Sequence, residues 1–445
     1  MLKIKLLSFL VIFSSCLFVV KAQKFKQKYF ETIIDSLTSD YFAGRGYVDN
    51  GMSKSALYLQ NEFKKNKLQS FSSNYEQKFT YPINVIQNAE LKINGKELKY
   101  GIDYIVKPSA QSVSDVGLDY SIFDTNDYIE SFQSKNKTRD FVIKDHQLSQ
   151  GKNIILPTLE NTVDSIKQYY KQWSSIYERE QNINRAIFRF TKDKLTSSLS
   201  QRQANTSEFI ISDKFYSNQL KINSFLIESE FVENFEAKNL IGYVNGKNND
   251  SIVVITAHYD HLGKVGEIVF PGASDNASGV AMMLAFAKYY SKHQPQYKTV
   301  FIAFAGEEAG LLGADYFVKN PLFELSKIKF LVNLDIMGAG EKGIQVVNGK
   351  IFKQQFDKLT AINSNKNYLT EVKIRGESCN SDHCPFYSKG VPSFFIYTLG
   401  GKGFYHEPQD TIENLTLDYS SKVFNLLRDF INSISSNDIK ITIAL

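Results

Sequence analysis

The stretch Ile252-Val253-Val254-Ile255-Thr256-Ala257-His258-Tyr259-Asp260-His261 decides the fold. Its short run of apolar and β-branched residues predicts a buried strand, and the polar residues arrive at that strand's carboxyl end. Three further runs repeat the arrangement. Residues 300–304 lead into Ala305-Gly306-Glu307-Glu308, and 330–334 lead into Asp335. Residues 393–397 lead, after the loop Gly400-Gly401-Lys402-Gly403, into Tyr405-His406. Helical patterns alternate with these strands over 278–290, 309–318, 351–359 and 419–434. Strands buried on both faces and separated by helices predict an α/β fold. It has a mostly parallel (mixed) central sheet flanked by helices on both faces, with a smaller inserted module.

Working outward, residues 29–68 read as two helices. Phe30, Ile33, Ile34 and Leu37 recur at helical spacing before the tight loop 42–46, and Ala56, Leu57, Leu59 and Phe63 do so after it. Residues 76–108 read as short strands, with Asn94-Gly95 marking a hairpin. The stretch 109–237 differs in character: from Lys152 to Ile241 it holds no glycine, and it mixes short apolar runs with a polar helical segment at 159–182. It is expected to be an inserted module with its own small core, because about 130 structureless residues inside one domain would be unusual. The expected division is therefore 1–22, 23–108, 109–237 and a core at 238–445.

The first residues carry Lys3 and Lys5, an apolar run over 6–20, and Val20-Lys21-Ala22 as a small-residue cleavage pattern. That is the pattern of a secretory signal peptide, and it predicts export to a periplasmic or extracellular location. Cys16 would be the attachment point of a lipid-anchor variant, but Phe13 fits that signal poorly. Otherwise only Cys379 and Cys384 remain, five positions apart, either as a small-loop disulfide or as two free thiols. The net charge of +5 is spread along the chain, with no basic block of the kind that marks nucleic-acid binding. No later apolar stretch approaches spanning length.

In open α/β sheets, sites form beyond the carboxyl ends of the strands. His258, Asp275, Glu308, Asp335 and His406 all fall there, and two histidines with three carboxylates suit two zinc ions. Three carboxylate charges against the four of two Zn²⁺ leave room for one bridging hydroxide. Asp275 lies in the small-residue turn 272–279, where it can offer one oxygen to each ion. In the adjacent pair Glu307-Glu308, one carboxylate can bind metal while Glu307 serves as general base. Asp260, two residues beyond His258, is placed to orient it, whereas parity turns His261 elsewhere, as a structural histidine in preference to one that caps or lines the pocket.

These residues resemble the co-catalytic dizinc aminopeptidase family, which includes bacterial leucyl-type aminopeptidases and, more distantly, glutamate carboxypeptidases. The resemblance rests on 258–263, 272–279, 305–308, Asn333-Leu334-Asp335 and Tyr405-His406 with the trailing Asp410-Thr411. It implies that Asp275 bridges the ions, that His258 and Asp335 complete one site, and that Glu308 and His406 complete the other. It also implies that a bridging hydroxide attacks the peptide carbonyl, with Glu307 moving the proton, and that the substrates are peptides with a free N-terminus. Some members insert a protease-associated domain where 109–237 lies, although the glycine-free run departs from that domain's pattern. Glutaminyl cyclases and carboxypeptidases share the fold and remain alternatives. A non-catalytic binding protein on this scaffold would be marked by a missing ligand, and none of the set is missing.

Overall fold

Alternation along the four apolar runs splits them between the two faces of one sheet. Val253, Ile255, Phe301, Ala303, Phe330 and Val332 enter one hydrophobic cluster, and Ile252, Val254, Val300, Ile302 and Leu331 enter another. The computed structural model describes residues 25–434 apart from 117–118, 132–136, 150–151, 159–163, 165–166, 169, 171–185 and 218. The leader 1–22, Cys16 and most of the helical segment expected at 159–182 lie outside the described residues.

The four strands are Asn248–His258, Tyr297–Phe304, Ile328–Leu334 and Ser393–Thr398. They lie side by side and parallel, in the order Ser393–Thr398, Ile328–Leu334, Asn248–His258, Tyr297–Phe304. Antiparallel strands border them on each side, Ile344–Val347 against Ser393–Thr398 and Ile222–Val244 against Tyr297–Phe304. The sheet is therefore mixed at its flanks and parallel where its carboxyl ends carry the polar residues. Helices Gln27–Thr38, Gly51–Lys65, Gly279–Tyr290 and Ser420–Ser433 cover one face. Leu312–Lys319 covers the other through Ala314, Phe317 and Val318. In the first helix Phe30, Ile33, Ile34 and Leu37 form the buried stripe that their spacing predicts.

Residues 76–93 depart from the expected short strands, whereas Lys96–Glu97 and Tyr104–Val106 are short as expected. Glu76–Ile93 is one strand of 18 residues, paired along its length with the 23-residue strand Ile222–Val244. Register shifts between Glu228 and Ser229 and between Val232 and Phe235 keep this ribbon continuous. Such bulges reset the inward-outward alternation, so one long strand reads locally as several short ones. The hairpin at Asn94-Gly95 forms, with Ile93 opposite Lys96.

The ribbon carries a second sheet of five strands, in the order Tyr104–Val106, Ser207–Ser212, Ala186–Thr191, Asn153–Leu156, Tyr120–Ile122. Phe188, Phe209 and Phe225 pack together on one side, joined by Leu262 and Phe270 from the main domain. Phe123, Tyr128, Ile154 and Leu156 form a separate cluster on the other. Among the described residues, no helix is long and apolar enough to cross a membrane.

Candidate metal centre

Each strand end supplies one group to a single point. His258 closes its strand, Asp335 follows Leu334, and Glu307-Glu308 sit three residues past Phe304. His258 Nε2 lies 3.3 Å from Asp335 Oδ1 and 3.3 Å from Asp275 Oδ1. The other oxygen of Asp275 lies 3.2 Å from His406 Nε2, which is 2.9 Å from Glu308 Oε2. Asp275 thus stands between two groups, one with His258 and Asp335 and one with Glu308 and His406. Glu307 Oε2 is 3.9 Å from His258 Nε2.

The donor set fits a pair of divalent ions. Two ligands held at ~2.0–2.1 Å from a tetrahedral zinc are about 3.3 Å apart, close to the nitrogen–oxygen separations above. His406 Nε2 is buried and close to two carboxylates, yet it makes no hydrogen bond. His261, Asp275, Glu308 and His406 offer ligand atoms within 4.8 Å of one another, as do His258, Glu307 and Asp335.

The surrounding hydrogen bonds aim these side chains. His258 Nδ1 lies 3.2 Å from the Asp260 backbone carbonyl and 3.9 Å from its carboxylate, so the carbonyl is the nearer acceptor. The Asp260 carboxylate instead accepts the backbone N–H groups of Glu307 and Glu308, at 3.2 and 3.3 Å. It therefore touches His258 less, and the glutamate pair more, than the sequence reading expected. Ser381 Oγ donates to Asp335 Oδ2 at 2.7 Å and accepts from Asn333 Nδ2 at 2.7 Å, and Asn333 in turn accepts from Thr256 Oγ1 at 2.6 Å. Cys379 and Cys384 are disulfide-bonded, with Cα atoms 5.0 Å apart, and they bracket Ser381. Asp410 accepts the backbone N–H groups of Ser274 and Asp275. Burial pushes its carboxyl up to about 7.

Charge crowding shows in the protonation of the cluster. Burial works against a charged His406, but Glu308 and Asp275 outweigh it and raise the imidazole to about 11. Burial, only partly offset by His258, pushes the Glu307 carboxyl well above its usual range, and Glu308, Asp382 and Asp335 add to the rise. A raised pKa makes the ionised carboxylate the stronger base, the property that proton transfer from a water uses.

Several participants were not legible in the sequence. His261 Nδ1 lies 2.6 Å from Glu308 Oε1, and its Nε2 is buried without a partner. Parity along an extended backbone would turn His261 away from the site, but the strand ends at His258 and the chain turns. Arg45, from the loop 42–46, is fully buried and donates to the carbonyls of Tyr259, Leu37, Pro271, Gly272 and Asp275. That loop docks closely: a Cβ on Gly44, where φ is +61°, would sit 2.2 Å from the Gly263 carbonyl oxygen. His406 Nδ1 lies 2.9 Å from the carbonyl of Ser197, a residue of the stretch 109–237. Lys194 in the same segment pairs with Glu407 at 2.6 Å.

Residues 239–431 match the family model of Peptidase family M28. The chain is 31% identical over 204 residues to Aminopeptidase YwaD of Bacillus subtilis, covering 41% of this chain and 41% of that protein. It is 27% identical over 194 residues to the Vacuolar membrane protease of Candida glabrata, covering 42% of this chain and 19% of that protein. The chain thus spans 41% and 19% of the length of these curated relatives. The solved structure of BSAP, a zinc aminopeptidase from Bacillus subtilis, aligns with a TM-score of 0.62 at 19% identity, covering 92% of this chain and 94% of that one. An aminopeptidase from Aneurinibacillus sp. strain AM-1 aligns with a TM-score of 0.58 at 18% identity, covering 92% and 94%. These structural likenesses are likenesses of fold, and the family resemblance read from the sequence holds over the matched residues.

Proposed function

We propose that this chain, with residues 239–431 in the pattern of Peptidase family M28, is an exported zinc-dependent aminopeptidase that removes N-terminal residues from peptides. The observation that carries this reading is Asp275, whose two oxygens lie within 3.3 Å of two different histidines. Export rests on the leader pattern of residues 1–22.

His258 and Asp335 would hold one zinc, Glu308 and His406 the second, and Asp275 both. Two zinc ions supply a water of lowered pKa and polarise the substrate carbonyl. Glu307, next to Glu308 but pointing to the His258 side, takes a proton at Oε2 and returns it to the leaving amine. Asp260 holds the Glu307-Glu308 backbone so that the two carboxylates diverge. Ser381 and the Ser197 carbonyl fix Asp335 and His406 in orientation.

The cavity over these groups is about 250 Å³ and is lined by His258, Glu307, Arg375, Tyr397 and Tyr405 among others. A neighbouring space of about 300 Å³, with Ile336, Ala339, Phe404 and Leu415 in its wall, shares Asp275, Tyr397 and Tyr405 with it. The second lies at the small end of ligand pockets, ~300–1,000 Å³, and the first just below it, which favours the end of a peptide over a long internal segment.

The test is purified protein with aminoacyl-naphthylamides and N-blocked peptides, with and without chelator and added Zn²⁺. Cleavage of free-amine substrates should disappear on chelation and return with about two zinc ions per chain. Activity indifferent to chelator would overturn the reading. About one ion per chain with pyroglutamate formation would replace it with a cyclase.

Ser381→Ala removes the hydroxyl that orients Asp335 and should weaken zinc affinity by about 10- to 100-fold. Competition with a chromophoric chelator reads this directly, and wild-type affinity would show that Ser381 does not support the site.

A further inference from the structure

Among the described residues, three arginines away from the surface are matched to acceptors. Arg45 gives all five of its N–H groups to backbone carbonyls. Half-buried Arg189 pairs with Glu208, and half-buried Arg428 pairs with Asp429. Arg375 is half-buried as well, lines the same cavity as His258, Glu307 and Asp335, and makes no ion pair among the described residues. Its side chain reaches only two hydroxyls, Tyr397 Oη at 3.3 Å from Nη1 and Ser378 Oγ at 3.5 Å from Nη2.

A guanidinium has five donors in a rigid planar fork whose geometry matches a carboxylate. Two long bonds to neutral oxygens leave most of that capacity unused, in a place partly shielded from water. The carboxylates nearby do not use it. Asp335 is engaged by Ser381 and His258, and Glu308 by His261 and His406. Asp275 is flanked by His258 and His406.

The backbone at this position is held firmly. Arg375 follows the strand Val372–Ile374, its N–H donates to the Val346 carbonyl at 2.9 Å, and its carbonyl accepts from Lys350 N–H at 3.1 Å. The fork therefore projects from the edge of the main sheet rather than from a free loop.

We infer that Arg375 is a specificity-determining residue that selects substrates carrying a free carboxylate beside the scissile bond. This rests on the peptidase reading and narrows its substrate class. The carboxylate is either the C-terminus of a very short peptide or an acidic side chain on one of the two residues flanking the bond. Both present the same planar, bidentate acceptor to the guanidinium.

The experiment compares kcat/KM for matched pairs with the zinc-loaded full chain. Ala-Ala against Ala-Ala-amide reads the terminal carboxylate. Glu-Ala-amide against Gln-Ala-amide and Ala-Glu-amide against Ala-Gln-amide read the acidic side chains. At least one pair should favour the carboxylate by about 10- to 100-fold, the size expected of a hydrogen-bonded charge. The same ratio should fall to near one in Arg375→Met and to an intermediate value in Arg375→Lys, which keeps the charge without the fork. Ratios near one throughout the wild type, or a preference that persists in Arg375→Met, would overturn the assignment.

Calorimetric titration of the same pairs into the zinc-loaded Glu307→Gln chain reads affinity without turnover. Carboxylate preference there, lost in the double variant with Arg375→Met, supports the assignment even where the wild type hydrolyses nothing, a result that would instead overturn the peptidase reading. Hydrolysis without carboxylate preference overturns the Arg375 assignment and leaves the peptidase reading standing.

Discussion

Glu307→Gln should lower kcat by about 10²–10⁴-fold, the range general-base catalysis supplies, while KM and zinc content stay close to wild type. The substitution keeps the size of the side chain and one oxygen but removes the ability to take a proton. Glu307 Oε2 is the carboxylate oxygen standing off at 3.9 Å from His258 Nε2, outside the 2.9–3.3 Å separations of the two ligand groups. That offset separates a proton carrier from a ligand. If Glu307 were a metal ligand instead, the variant would lose zinc along with activity. Metal analysis beside steady-state kinetics distinguishes the two, and a kcat within threefold of wild type would remove Glu307 from the mechanism.

Arg45→Met should destabilise the protein by on the order of 4 kcal/mol, because each buried carbonyl left without a donor costs ~1–3 kcal/mol, with water relieving part of the sum. Its guanidinium joins the carbonyl of Leu37 in the first helix to those of Tyr259, Pro271, Gly272 and Asp275 around the site. Burial lowers Arg45 to about 10, with Asp275 and Asp410 opposing the fall, so it stays charged at neutral pH. The loss should therefore appear twice, as a lower denaturant midpoint and as weaker zinc retention through a loosened Asp275 turn. Unchanged midpoint and zinc affinity would show that the turn holds itself without Arg45.

The parallel centre of the sheet was legible because strands buried on both faces need continuous apolar runs, and each run ends where its polar residues begin. The helix Gln27–Thr38 was legible for a similar reason, since one stripe of four apolar residues seats it. The ribbon formed by Glu76–Ile93 and Ile222–Val244 was not. Its pairing joins residues up to 164 positions apart, Glu76 with Leu240, and its bulges break the alternation, so no local window contains its register.

Local pattern by itself determined the parallel core of the fold and nominated the acids and histidines at its strand ends. Those properties follow from short-range periodicity and from the rule that such sites form beyond the carboxyl ends of strands. Tertiary structure alone decided the aim of each group. The turn after His258 brought His261 to Glu308, the distant stretch 109–237 lent the Ser197 carbonyl to His406, and Arg45 crossed 230 positions to reach the Asp275 carbonyl. Hydrogen bonds between distant backbone groups depend on where the whole chain packs, and that information is not contained in any segment read alone.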